Sequence, residues 1–127
     1  MNRILIIEDN VDLRTFMKLA LEMAGYEVTA AEDGRLGLEL QRREPADIVI
    51  TDIFMPFKDG IETIVELREQ FPDTRIIAMS GGGQHLKKSE YLWAAREFGA
   101  ITTLQKPFDV DQLLEAVRNT VADENRS

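Results

Sequence analysis

The chain has 127 residues, 23 acidic and 15 basic, for a formal net charge of −8, with 44% apolar and 30% charged side chains. This length predicts one domain with a self-sufficient core, and the acidic surplus argues against the basic face of a nucleic-acid or anionic-membrane binder. There is no cysteine, which excludes disulfides, thiolate zinc sites and a cysteine nucleophile.

The first apolar run, Ile4–Ile7, reads as a strand bounded by Glu8 and Asp9. It is too short for a secretory signal or a membrane span, so a cytoplasmic domain is expected. Leu13, Phe16, Met17, Ala20, Leu21 and Ala24 then recur at helical spacing, and Gly25 stands where a helix C-terminus needs it. Tyr26–Ala30 reads as the second strand. The second helix, about Arg35 to Arg43, has Leu36 and Leu40 in phase and Gly37 inside it. Ile48–Thr51 is the third strand and runs into Asp52. Ile61, Ile64, Val65 and Phe71 mark a third helix before Pro72, with Glu62, Glu66 and Glu69 as its solvated face. Ile76–Met79, the fourth strand, ends at Ser80. A fourth helix is expected from about Leu86 to Phe98, followed by Gly99. Ile101–Leu104 is the fifth strand, with Lys106-Pro107 just beyond it. Val110, Leu113, Leu114, Val117 and Val121 mark the last helix, opened by Asp109 and Gln112 as a variant capping box. The domain is taken as residues 1–122, with 123–127 a frayed polar tail.

This alternation predicts a parallel sheet wrapped by helices, an α/β fold of the doubly wound kind. The first, third and fourth strands are almost continuously apolar, as strands covered on both faces are. In such folds chemistry gathers at the carboxyl ends of the strands. Glu8, Asp9, Asp52, Ser80 and Lys106 all follow apolar runs, so the fold would bring them to one edge. Three converging carboxylates repel one another, and with one lysine they leave a local charge of −2 that one divalent cation would match. Oxygen donors without His or Cys suit Mg²⁺. A carboxylate beside Mg²⁺, a lysine and a hydroxyl is also the equipment for forming an aspartyl-phosphate, with Asp52 the best placed nucleophile.

The order ED near the amino terminus, then DIFMPFKDG, MSG and LQKPF, resembles the receiver domain of bacterial two-component response regulators, and the resemblance runs from Arg3 to about Val121. It implies a flavodoxin-like (βα)5 three-layer sandwich with a parallel five-stranded sheet in the order 2-1-3-4-5. It implies that Asp52 accepts a phosphoryl group from the phosphohistidine of a sensor kinase or phosphotransfer protein. Asp9, Asp52 and the backbone carbonyl of Phe54 would bind Mg²⁺, with Glu8 acting through water. Ser80 would turn toward the phosphoryl group, Lys106 would pair with it, and the Lys106–Pro107 bond would be cis. Met55-Pro56 and Asp59-Gly60 would shape the loop after the acceptor strand, Asp59 as a turn or cap residue. The fourth and fifth helices and the fifth strand would carry output contacts with a downstream protein.

Thr103 stands where this family often carries an aromatic switch residue, Gly81, Gly82 and Gly83 follow the hydroxyl, and Phe54 offers an attacking water no hydrogen bond. A mobile glycine loop and a slow loss of phosphate are the expectations. His85 is expected as an exposed bystander, and Trp93 as either packed on its own helix or part of a partner surface. A phosphatase of the haloacid-dehalogenase kind would need a second carboxylate where Phe54 stands. A receiver-shaped interaction module that is never phosphorylated is the alternative. The chain is expected to be either an independent single-domain regulator, similar to a chemotaxis regulator and slightly favoured by the start at Met1, or a cut-out of a longer protein. Kinase, signal, output partner and oligomeric state are not legible.

Overall fold

The computed structural model describes residues 2–53, 60–80, 97, 99–100 and 102–124 of the chain. In chain order the elements are β1 (Arg3–Ile7), α1 (Val11–Met23), β2 (Glu27–Ala31), α2 (Gly34–Arg43), β3 (Ile48–Asp52), α3 (Gly60–Gln70), β4 (Arg75–Ser80), β5 (Thr102–Gln105) and α4 (Val110–Glu124). The five strands form one parallel sheet in the order β2-β1-β3-β4-β5, as expected.

Alternation along the strands divides the interior into two cores. Leu5 and Ile7 of β1, Val49 of β3, and Ile76 and Ala78 of β4 face α2 and α3, where they meet Leu38, Ile64 and Leu67. Ile4, Ile6, Ile48, Ile50, Ile77 and Met79 face the other way, onto Met17 and Leu21 of α1 and Leu113, Ala116 and Val117 of α4. A strand with helices on both sides has no polar face, and this produces the unbroken apolar runs of β1, β3 and β4. Burying each such side chain contributes roughly 1.5–3 kcal/mol.

Helix ends follow the capping signals. Asn10 accepts from Leu13 N at 2.9 Å and Asp33 from Leu36 N at 2.8 Å. The box at α4 is reciprocal: Asp109 Oδ1 accepts from Gln112 N at 2.8 Å, and Gln112 Oε1 accepts from Asp109 N at 2.9 Å. Gly25 closes α1 at φ 102°, a left-handed conformation.

Several expectations about individual residues shift. In α1 the stripe that reaches the sheet is Met17 and Leu21, so Phe16 is 37% exposed and Ala24 is exposed. In α2 the buried positions are Gly34, Gly37, Leu38 and Gln41, and Leu36 and Leu40 sit at the margin. Gly37 is a contact surface: a Cβ there would stand 2.4 Å from Ile7 Cδ1. Helix α4 continues to Glu124, into the tail expected from residue 123, while 125–127 lie outside the described residues. The helix expected over 86–98 also lies outside them, apart from helical Glu97. No described helix is long and apolar enough to cross a membrane.

Candidate functional site

Sheet register sets the heights of the groups at the carboxyl edge. Ile7 pairs with Thr51, so Glu8 and Asp52 follow at one level. Asp52 pairs with Met79, which puts Ser80 one residue higher. Ser80 pairs with Gln105, and Lys106 stands one residue beyond that. The backbone holds these positions where the strands stop. Glu8 N donates to Ala31 O at 3.0 Å, Ile53 N to Met79 O at 2.9 Å, and Lys106 N to Ser80 O at 2.9 Å. The Lys106–Pro107 peptide is cis.

From its higher level the long Lys106 side chain reaches back. Its Nζ lies 2.7 Å from Glu8 Oε1 and donates to Asp52 Oδ2. Glu8 is fully buried and Asp52 nearly so, whereas Asp9 is exposed. One carboxylate oxygen from each of Glu8, Asp9 and Asp52 lies within 4.8 Å of the others. Glu8 Oε2 also accepts from Asn10 N at 3.0 Å. Burial pushes the Glu8 carboxyl up to about 7, against the hydrogen bonds from Lys106 and Asn10, and Asp52 adds to the rise. Burial alone would lower the Lys106 pKa, but the carboxylates of Asp52 and Glu8 outweigh it and hold the ammonium above its usual value.

Ser80 contributes a different signal. It is fully buried, and among the described residues its Oγ has no hydrogen-bond partner. A buried hydroxyl without a partner is costly and uncommon, which marks a place where a ligand would supply one. Glu8 Oε1 faces the Lys106 ammonium at 2.7 Å. Three acidic groups with oxygen donors only suit a hard cation, so the residues present fit a metal ion.

The structure therefore gathers Glu8, Asp9, Asp52 and Lys106, with Ser80 on the adjoining strand end. Phe54, Met55, Pro56, Asp59, Gly81, Gly82, Gly83, His85 and Trp93 lie outside the described residues. Thr103 is half-buried and lines a groove of about 370 Å³ between β5 and α4, with Leu104 and Ala116. An apolar cavity of about 330 Å³ opens beside Lys106, lined by Leu13, Pro107 and Phe108.

Sequence reasoning missed Arg14. Its guanidinium reaches from α1 to the carbonyl oxygens of Glu8, at 2.8 Å, and Asp9, at 3.4 Å. The available signal was a cation in the second turn of a helix that begins directly after an acidic strand end.

Comparison with known proteins identifies the family. Residues 4–118 match the family model described as Response regulator receiver domain. The chain is 29% identical over 116 residues to sporulation initiation phosphotransferase F of Bacillus subtilis (strain 168), covering 91% of this chain and 90% of that protein. It is 36% identical over 121 residues to chemotaxis protein CheY of the same organism, covering 94% and 98%. Transcriptional regulatory protein CpxR of Escherichia coli (strain K12) is 36% identical over 118 residues, but this chain spans only 48% of its length. Among solved structures, a response regulator receiver domain protein from Clostridium thermocellum superimposes with a TM-score of 0.88 at 28% identity, covering 98% of each chain.

Proposed function

The chain belongs to the response regulator receiver domain family, and from that premise we propose that Asp52 is its phosphoacceptor, switched by a phosphohistidine-bearing partner in a two-component relay. The observation that carries this reading is the convergence of three carboxylates within 4.8 Å, with Lys106 bridging Glu8 and Asp52.

In the reaction, an Asp52 carboxylate oxygen attacks the phosphorus of the partner's phosphohistidine. The P–O bond forms as the P–N bond breaks, and the imidazole leaves with the electron pair and keeps or gains its proton from solvent. Lys106 is held against Asp52 before reaction, so its ammonium needs little rearrangement to pair with the incoming phosphoryl oxygens. Ser80 Oγ, buried and without a partner among the described residues, donates a hydrogen bond to one of those oxygens and thereby ties β4 to the modified side chain.

Asp9, Asp52 and the Phe54 carbonyl would hold Mg²⁺, with Glu8, whose oxygens face Lys106 and Asn10 N, acting through water. When bound, the ion neutralises charge on the transferring phosphoryl group. The activity is that of a signalling domain which assists its own modification. Its setting is the cytoplasm, its donor a sensor histidine kinase or a histidine phosphotransfer protein, and its output a protein that docks on the face carrying β5 and α4.

The test is incubation with Mg²⁺ and a small acyl phosphate donor, read by intact mass. A gain of one phosphoryl group that disappears in Asp52→Ala is expected. No gain in the unaltered chain overturns this reading in favour of an interaction module that is never phosphorylated.

A further inference from the structure

We propose that Arg14 is a positioning residue for the acidic pocket, holding the backbone of Glu8 and Asp9 in the bend that turns their carboxylates toward Asp52. The inference rests on the reading of that pocket as a cation site.

The bend is short and demanding. Glu8 N is held by Ala31 O at the end of the sheet, and α1 begins three residues later at Val11. Asp9 and Asn10 make the whole connection. Two of its braces come from within: Glu8 Oε2 accepts from Asn10 N at 3.0 Å, and the Asn10 side chain caps Leu13 N at 2.9 Å. Arg14 is the brace that comes from the helix. Its Nη1 donates to both acidic residues' carbonyl oxygens, at 2.8 and 3.4 Å, while its own N–H is fixed to Asn10 O at 2.9 Å. Anchored at its backbone and again at its tip, the side chain spans the bend. Charge-assisted bonds of this kind are strong, and both come from Nη1, whose N–H groups are fixed in the guanidinium plane.

Charge and clamp make opposite predictions. A cation beside a group of carboxylates opposes the binding of a second cation, so a purely electrostatic Arg14 would weaken Mg²⁺ binding and its removal would strengthen it. A clamp that positions ligands does the reverse, and loss of such outer partners costs about tenfold or more in metal affinity.

The experiment is Mg²⁺ titration by calorimetry on the unaltered chain, Arg14→Met and Arg14→Lys, with amide exchange followed at Asn10 and along α4. We expect Arg14→Met to bind Mg²⁺ about tenfold more weakly and to exchange the Asn10 amide faster, with α4 protection unchanged. Arg14→Lys should recover only part of both. Unchanged or tighter Mg²⁺ binding in Arg14→Met overturns the proposal, as does unchanged exchange of the Asn10 amide in that variant. If the unaltered chain takes up no Mg²⁺, the cation-site reading itself fails, and the Asn10 exchange alone then decides whether the clamp exists.

Discussion

Replacing Lys106 with Met keeps most of the side chain's length and removes the ammonium that stands between Glu8 and Asp52. The carboxylates of Glu8 and Asp52, within 4.8 Å of each other, then lose the ammonium that stands between them. The repulsion from Asp52 is already present in the unaltered chain; what the variant loses is the Lys106 attraction across 2.7 Å, roughly 6 kcal/mol at an effective dielectric constant of about 20, enough to keep the Glu8 proton well above about pH 7. The sign follows from linkage. Unfolded Glu8 ionises near 4.5 in both proteins, and its folded pKa lies higher. The stability associated with the protonated group is therefore complete at low pH and is lost as pH rises through the folded value. In the unaltered chain that loss ends near pH 7, whereas in Lys106→Met it continues at about 1.4 kcal/mol per pH unit.

By about pH 8.5 the variant should have lost roughly 2 kcal/mol more than it had at about pH 5.5, relative to the unaltered chain. That comes on top of a pH-independent cost of about 1.5–3 kcal/mol for the hydrogen bond to Asp52. Urea unfolding at the two pH values, without divalent cations, measures both parts. An equal cost at the two pH values would refute the argument, because it would mean that Glu8 does not titrate against Lys106 and Asp52.

Ser80→Ala should leave stability within about 0.5 kcal/mol of the unaltered chain, because among the described residues its buried Oγ has no partner to lose. Phosphorylation by the acyl phosphate donor should nevertheless slow by about tenfold to a hundredfold, as measured by the rate of mass gain. A stability loss with unchanged rate would reverse the role given to this hydroxyl. Gly37→Ala should lower the thermal midpoint, since its Cβ would meet the fully buried Ile7 side chain at 2.4 Å. The overpacking, about 1–3 kcal/mol, exceeds the gain of roughly 1 kcal/mol in helix propensity. An unchanged or raised midpoint would show that Ile7 can move aside.

The parts of the fold that were legible are those in which one physical demand dominates. Ile4–Ile7, Ile48–Thr51 and Ile76–Met79 announce doubly covered strands because every position in them is buried and all but Thr51 are apolar. Asp52, Ser80 and Lys106 stand out because polarity resumes where that demand stops. Helix α2 was harder, because its inward face is not simply hydrophobic. Gly37 lies there through the closeness of Ile7. Gln41 is fully buried because its amide donates to Ala46 O and Thr74 Oγ1 and accepts from Ala46 N. No periodicity can reveal partners that far along the chain. Phe16 was misjudged for the opposite reason: apolar residues at helical spacing say which side is greasy, but not which of them touches the sheet. Arg14 escaped because its contacts are to backbone oxygens, which every sequence possesses.

The stepped heights of the strand ends constrain how this molecule can change by insertion and deletion. One residue gained or lost within β3 would displace Asp52 by about 3.3 Å and send its side chain to the opposite face of the sheet. Lys106 would then be reaching for a group no longer there. At the other edge, the connections that enter the strands at 24–26, 44–47 and 71–74 carry none of the convergent groups. Length variation should therefore accumulate at the amino edge of the sheet, while the spacing from each strand to its terminal polar residue stays invariant. An engineer wishing to graft a loop or open new termini has one end of the domain on which to do it.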